Sequence, residues 1–178
     1  CSLSKTNDSL LMWSHYCYNH KGVCIGLDID RVIKSVPPMF GTTYVEPLVL
    51  DVQYKDIIER PNGYQYSKDI FSYQWRTKAK EWEYEQEVRL VIPNPSGLYA
   101  SLTPQQTNQD KEFWDGREIR HYMPLKAECF ESIYFGVNIE QEEKEKIVRY
   151  VRKKLNPQIN LYQMEIDDNA FRLRPIKI

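Results

Sequence analysis

Several patterns that identify common protein classes are absent from this sequence of 178 residues. Its seven glycines form neither a Gly-x-Gly-x-x-Gly pattern nor a P-loop, and there is no Gly-x-Ser-x-Gly nucleophile elbow. The four cysteines show no Cys-x-x-Cys spacing, and no apolar run reaches the length of about 18 residues that a membrane-spanning helix needs. A net charge of −1 gives no electrostatic footprint for nucleic acid or for a membrane surface.

The composition that is present is typical of a soluble globular domain. Apolar residues make up 42% and charged residues 28% of the chain. Its length predicts one domain over residues 1–178. The cysteines lack metal-binding spacing, which favours free thiols. The chain has no charged-then-apolar leader, which favours the cytoplasm. Aromatic residues reach 13%, with 13 tyrosines, which predicts a cleft or an interface that uses their apolar rings and polar tips.

The stretch of residues 12–22 contains two of the three histidines, with one Trp and two Tyr. Ser9 can cap a helix and Gly22 can end a turn, so we predict a helix over residues 9–18, a turn over 19–22 and a strand over 23–27. The helix has no polar face, which is typical of a buried helix. Ser14 and His15 would then lie inside and need hydrogen-bond partners.

Two segments carry a family resemblance. Residues 12–16 read Met-Trp-Ser-His-Tyr, residues 20–28 read His-Lys-Gly-Val-Cys-Ile-Gly-Leu-Asp, and residues 78–90 contain Trp-x-Tyr-Glu-x-Glu-x-Arg. In this order they resemble the bacterial domain of unknown function 2971 family. The resemblance implies a preceding portion with an Asn-Asp-Pro-Phe-like motif, which this sequence lacks, so we expect the chain to represent the C-terminal, motif-bearing part.

The remaining patterns predict an α+β fold with a mixed, largely antiparallel sheet, a buried N-terminal helix and one long amphipathic helix near the C-terminus. That helix is expected over residues 140–155, with acidic residues at its start and basic residues at its end. Other helices are predicted over residues 28–36 and 67–80. Strands are predicted over residues 48–54, 87–92, 118–124, 132–135, 160–165 and 170–176, the last two as a hairpin. Residues 94–114 read as a loop-like insertion.

The second motif predicts a polar face. If residues 83–89 are extended, Glu83, Glu85, Glu87 and Arg89 share one side of the strand, because side chains alternate. Such a strand either faces solvent, where an Arg–Glu pair contributes little, or lines a polar cleft. The family resemblance favours the cleft.

These motifs provide the candidate site residues. Metal binding is not predicted, because two histidines five residues apart with a turn between them fit no ligand spacing. A buried His15 needs an acceptor from outside its own helix, and the carboxylates of the second motif are the best concentration of acceptors. We therefore predict His15 or Tyr16 within hydrogen-bond reach of Glu85 or Glu87. The candidate catalytic residues are His15, Tyr16, Glu85, Glu87 and Arg89, and the candidate binding residues are Trp13, Ser14, His20, Lys21, Lys78 and Trp82.

Two function hypotheses from different classes stay open. One is a binding or regulatory module with a small-molecule or protein partner, which fits the tyrosine content. The other is an enzyme, because Glu85-Gln86-Glu87 ahead of a strand is similar to the Glu-x-Glu element of ADP-ribosyltransferases. That resemblance implies NAD or another nucleotide as substrate, with one Glu holding the ribose and the other activating the acceptor. The sequence specifies no cofactor.

Overall fold

The computed structural model describes residues 1–35, 47–58, 73–91 and 125–178, and these form the predicted α+β fold with largely antiparallel sheets. The strands are β1 (Ser2–Ser4), β2 (Val23–Leu27), β3 (Leu48–Asp51), β4 (Gln53–Lys55), β5 (Thr77–Ala79), β6 (Glu87–Val91), β7 (Phe130–Phe135), β8 (Asn160–Ile166) and β9 (Leu173–Lys177). The α-helices are α1 (Leu10–Tyr16), α2 (Ile29–Ser35) and α3 (Gln141–Tyr150). Short 3-10 helices span Lys80–Glu85 and Ala127–Cys129, and a π-helical turn spans Val151–Leu155.

The larger sheet has the strand order β2-β7-β8-β9, in which β7 and β8 are parallel and the outer pairs antiparallel. Because side chains alternate along a strand, β7 contributes to two apolar layers. Ile133 and Phe135 pack with Val151 below α3, whereas Tyr134 packs on the opposite face with Trp13 of α1. The sheet therefore has a helix on each face.

The smaller sheet has the order β1-β6-β3, with β6 in the middle and both pairs antiparallel. One face of β6 carries Val88 and Leu90, and Leu90 packs with Val32 of α2. The other face carries Glu87 and Arg89. Strand β6 therefore separates an apolar layer from a charged layer. Strands β4 and β5 form a third sheet, which is parallel.

Helix α1 begins where the sequence predicts, because the Ser9 hydroxyl accepts from the Met12 N–H at 3.4 Å. Trp13 is buried, and its indole N–H donates to the Asn7 carbonyl at 2.6 Å. The prediction that the whole helix is buried is wrong, because Leu11 and Tyr16 are exposed. A helix of two turns presents only one side to the sheet, and here Trp13 occupies that side.

The turn after α1 has an unusual backbone. Tyr18, Asn19 and His20 have φ angles of 49°, 54° and 64°, the left-handed region that favours glycine. The turn is held because the N–H groups of Asn19 and His20 donate to the carbonyls of Ser14 and Trp13 at 3.2 and 3.1 Å. The predicted turn and the strand β2 after it are confirmed.

Two predictions in the middle of the chain need correction. The strand predicted over residues 48–54 is two strands, broken at Val52, whose N–H donates to the Glu87 carbonyl at 3.1 Å. The helix predicted over residues 67–80 does not reach residue 80, because Thr77–Ala79 pairs with β4 as a strand. The predicted insertion over residues 94–114 and the predicted strand over residues 118–124 lie outside the described residues.

The C-terminal predictions are confirmed with shifted boundaries. The long helix is α-helical over Gln141–Tyr150 and continues through the π-helical turn, which places Val151 in the core. Strands β8 and β9 form the predicted hairpin, with Ile166 opposite Leu173. All four cysteines are free thiols. Among the described residues, no helix combines the length and the apolar character that crossing a membrane requires.

Candidate functional site

A left-handed residue between Glu85 and Glu87 directs both side chains into one cluster. Glu85 ends the 3-10 helix Lys80–Glu85, Gln86 has φ 45° and ψ 49°, and β6 begins at Glu87. The prediction of an extended chain over residues 83–89 is therefore wrong, and Glu83 is exposed rather than sharing the face. Glu85 and Glu87 nevertheless converge, with only 4% and 5% of their surfaces exposed.

Two basic side chains neutralise these two buried carboxylates. The Lys78 ammonium contacts the Oε2 atoms of both, at 3.0 Å for Glu87 and in a short contact for Glu85. The Arg89 guanidinium binds Glu87 through two nitrogens, Nε to Oε1 at 2.8 Å and Nη2 to Oε2 at 3.3 Å. We call Lys78, Glu85, Glu87 and Arg89 the ion cluster. Its formal charge is zero, which is what buried charges require.

Backbone and hydroxyl groups hold the ion cluster in place. Arg89 Nη1 donates to the carbonyls of Gln74 and Trp75 at 3.3 and 3.1 Å. The Ser4 hydroxyl donates to the Glu85 carbonyl at 2.7 Å, and the Glu87 N–H donates to the Tyr54 hydroxyl at 2.7 Å. The ion cluster therefore ties β1 and β4 to β6.

The hydrogen bonds within the ion cluster favour the charged forms of Glu87 and Lys78. Burial would raise the pKa of Glu87, but hydrogen bonds from Arg89, Ser2 and Lys78 outweigh it and lower the pKa to about 2. Burial likewise acts to lower the pKa of Lys78, and its hydrogen bonds to Glu85 and Glu87 reverse this and raise it. Glu87 is thus a permanent carboxylate near neutral pH.

Tyr16 joins the two motifs in space. Its hydroxyl donates to Glu85 Oε1 at 2.7 Å, although 61% of the tyrosine surface is exposed. The hydrogen bond to Glu85 is the main reason that the pKa of Tyr16 is raised, and burial adds to it. The predicted contact between the first and second motifs is therefore confirmed through Tyr16.

His15 does not fulfil the role predicted for it, since it is exposed on α1 rather than buried. Its ring instead belongs to a row of rings beside the ion cluster. The His15 centroid lies 6.4 Å from those of Tyr16 and Tyr84, and Tyr84 lies 6.0 Å from Trp82. The Trp82 ring in turn lies over the Lys78 ammonium at 5.2 Å. We call His15, Tyr16, Trp82 and Tyr84 the aromatic rim.

The model of the family described as a protein of unknown function (DUF2971) matches residues 12–90. Over these residues the chain is similar to the DUF2971 family. No curated protein and no solved structure matches the chain. The DUF2971 match spans both motifs, so the ion cluster and the aromatic rim lie within the matched residues.

The structure brings together some of the predicted site residues and separates others. Hydrogen bonds and ion pairs join five of them, namely Tyr16, Lys78, Glu85, Glu87 and Arg89. The Trp82 ring lies over the Lys78 ammonium. The other predicted residues have different contacts. Trp13 is a core residue, the Ser14 hydroxyl donates to the Asn19 side chain at 3.5 Å, and the His20 carbonyl accepts from the Asn138 N–H at 2.9 Å. His20 is the last left-handed residue of the turn, and Lys21 follows it.

Sequence reasoning missed Ser2, Ser4 and Tyr54. They contact the ion cluster from β1 and β4. Ser4 lies 81 residues before its partner Glu85, and Tyr54 lies 33 residues before its partner Glu87. No spacing pattern links such distant positions. In the part of the chain that the structure describes, no group of three His, Cys, Asp or Glu residues could hold a metal ion.

Proposed function

We propose that this DUF2971 segment is a binding module, and that its recognition surface is the aromatic rim. The observation that carries the proposal is the row of rings, partly exposed, standing on a buried and electrically neutral ion cluster. Tyr and Trp rings supply a large contact area at low entropic cost, and they are common where binding energy is concentrated.

The ion cluster makes the aromatic rim a fixed surface. Tyr16 is anchored by its hydrogen bond to Glu85, and Trp82 by its contact with the Lys78 ammonium. Side chains held before binding lose less entropy when a ligand arrives. Successive ring centroids lie 6.0–6.4 Å apart and neighbouring rings are tilted by 33–68°, so a flat ligand can stack on one ring and contact the edge of the next. A nucleobase or an aromatic side chain of a protein partner has this shape.

An ADP-ribosyltransferase-like enzyme is the second candidate, and one observation favours it. The exposed Tyr16 hydroxyl and the buried Glu85 carboxylate form a hydrogen-bonded pair, which is chemistry that a proton transfer could use. Against it, a carboxylate that holds a ribose hydroxyl needs unoccupied lone pairs. Glu87 already accepts from Arg89 twice and from Lys78, and Glu85 accepts from Lys78 and Tyr16. The full occupancy of Glu87 and the burial of both carboxylates favour binding over catalysis.

Ligand titration of the whole chain tests the binding proposal. Tryptophan fluorescence of the chain would be followed while NAD, AMP or GMP is added. N-acetyltryptophanamide is itself fluorescent, so its binding would be measured by competition in an assay that does not use fluorescence. We expect saturable binding of at least one of them, weakened roughly tenfold or more by Trp82→Ala. Tyr150→Ala, on an exposed residue of α3, is the matched control and should bind normally. Binding equally strong in Trp82→Ala would contradict the aromatic rim as the recognition surface.

Product analysis separates the enzyme from the binding module. NAD would be incubated with the wild-type chain and with Glu85→Gln, and nicotinamide release measured by chromatography. If NAD is intact after incubation with the wild type, the ADP-ribosyltransferase alternative fails. If nicotinamide is released by the wild type but not by a folded Glu85→Gln variant, the enzyme is favoured and the binding module is overturned.

A further inference from the structure

A cavity lies on the other face of β6 from the ion cluster. Its volume is about 600 Å³, within the range of small-molecule sites. Among the described residues, β1, β2, β3, β6 and β7 all contribute to its lining, together with the segment between β1 and α1. None of the ion cluster or aromatic rim residues is among them. The cavity is therefore a separate feature from the surface described above.

The wall of the cavity is apolar and its floor is closely packed. Leu27, Val49 and Val88 line it. At the floor, a Cβ atom added to Gly26 would lie only 2.1 Å from the hydroxyl of Ser132, which is itself buried. A side chain at position 26 would therefore displace the Ser132 hydroxyl from its position. The apolar wall provides contact area for a hydrocarbon or aromatic group.

The charged groups of the lining are mostly acidic. Asp8, Asp51 and Glu131 line the cavity, against one base, Lys5. Lys5 pairs with Asp51 at 2.7 Å, which leaves Asp8 and Glu131 as the charges in excess. The Asp8 carboxylate is oriented by a short hydrogen bond from the Thr6 hydroxyl. An occupant with a positive charge complements this lining, whereas an anion is repelled.

We propose that the cavity is a binding site for a small organic cation, an ammonium group carried on an apolar body. The apolar body packs against Val49 and Val88, and the ammonium group faces the acidic part of the lining that includes Glu131. This site is independent of the function proposed for the aromatic rim.

Three probes of one shape test the charge requirement. 2-Phenylethylamine, 2-phenylethanol and phenylacetate would be titrated into the whole chain and followed by amide NMR shifts. We expect the amine to bind roughly tenfold more tightly than the alcohol, and the carboxylate to bind least. Shifts should centre on Gly26 and Val88. Equal affinities for the three probes, or no saturable binding of the amine, would overturn the proposal.

Two variants with matched controls locate the site. Val49→Trp fills the cavity and should abolish binding of the amine, whereas Leu48→Trp, on the neighbouring residue outside the lining, should not. Glu131→Lys reverses one charge on an exposed residue and brings the net charge of the lining to zero, so it should remove the preference for the amine over phenylacetate, whereas Glu128→Lys should leave that preference unchanged. Melting temperatures check that the variants are folded. An unchanged preference in a folded Glu131→Lys variant would contradict the assigned cation site.

Discussion

At the scale of single residues, Lys78 compensates the charge of both buried carboxylates. It is the one side chain of the ion cluster that contacts both carboxylates, so its removal leaves Glu85 and Glu87 buried with only Arg89 as a base. We expect Lys78→Met to lower the free energy of unfolding by about 3 kcal/mol, measured by urea denaturation.

Two comparison variants make this expectation specific. Lys80→Met removes an exposed lysine paired with Asp56 at 3.6 Å and should cost no more than about 0.5 kcal/mol. Adding Glu85→Gln to Lys78→Met removes one uncompensated charge and should recover part of the loss. A Lys78→Met chain as stable as the wild type would show that the ion cluster contributes nothing to folding.

The left-handed turn gives a prediction of the opposite sign. Tyr18 has φ 49° and is 80% exposed, so its side chain contributes little packing to offset the backbone strain. Tyr18→Gly should raise the free energy of unfolding by about 0.5–1 kcal/mol, because glycine adopts this conformation without a steric cost. In contrast, Tyr150→Gly, at φ −62° in the helical region, should lower it by about 1 kcal/mol. Thermal unfolding of the two variants distinguishes these outcomes.

At the scale of elements, α1 is fixed to the larger sheet mainly through Trp13, with Leu10 packed beside it. Trp13 packs with Met164 and Leu173, and its indole N–H is hydrogen-bonded. Trp13→Ala should lower the free energy of unfolding by about 3–5 kcal/mol. Leu11→Ala, on the exposed side of the same helix, should cost less than about 1 kcal/mol. Similar losses for the two variants in urea denaturation would show that α1 is held by its whole surface.

Elements with strong local signals could be predicted from the sequence. Ser9 and Gly22 mark α1 and its turn, and the charge pattern of residues 140–155 marks α3 and the turn that follows it. The helix predicted over residues 67–80 was wrong near its end because Thr77–Ala79 pairs with β4, a tertiary contact that overrides local helical spacing. The extended prediction for residues 83–89 was wrong because nothing local marks Gln86 as left-handed.

The candidate site could be predicted in part for a similar reason. Glu85 and Glu87 are a local concentration of acceptors, so a contact from the first motif was predictable, and Tyr16 makes it. The exposure of His15 was not predictable from an apolar pattern around the helix, because the pattern does not show how much of a short helix the sheet covers. Ser4 and Tyr54 were not predictable, because only the tertiary fold brings them near.

At the scale of the whole molecule, stability should depend on pH at both ends of the range. Glu87 has an ordinary pKa of 4.5 and about 2 in the fold, so it stabilises the folded state above pH 4.5, by about 3 kcal/mol. This contribution is lost as the pH falls from about 4.5 through about 2. Lys78 has a raised pKa, so its contribution is complete below its ordinary value of 10.5 and is lost as the pH rises through the folded-state value.

Urea denaturation at a series of pH values measures the acid limb. Glu87→Gln should flatten the fall in stability between pH 4.5 and 2, because the variant has no carboxylate there to protonate. Glu83→Gln, an exposed neighbour, should leave the slope as in the wild type. An identical acid slope in the Glu87→Gln variant would mean that other carboxylates account for the acid unfolding.

The spacing of the contacts to Glu85 also has a kinetic consequence. Its bond from Tyr16 spans 69 residues, and its bond from Ser4 spans 81. Contacts of such high sequence separation form only after large loops have closed. The chain therefore loses conformational entropy before these contacts begin to stabilise it. The aromatic rim can therefore not assemble on a nascent or partly unfolded chain, and any ligand that binds there reports on completed folding of the β1–α1–β6 region.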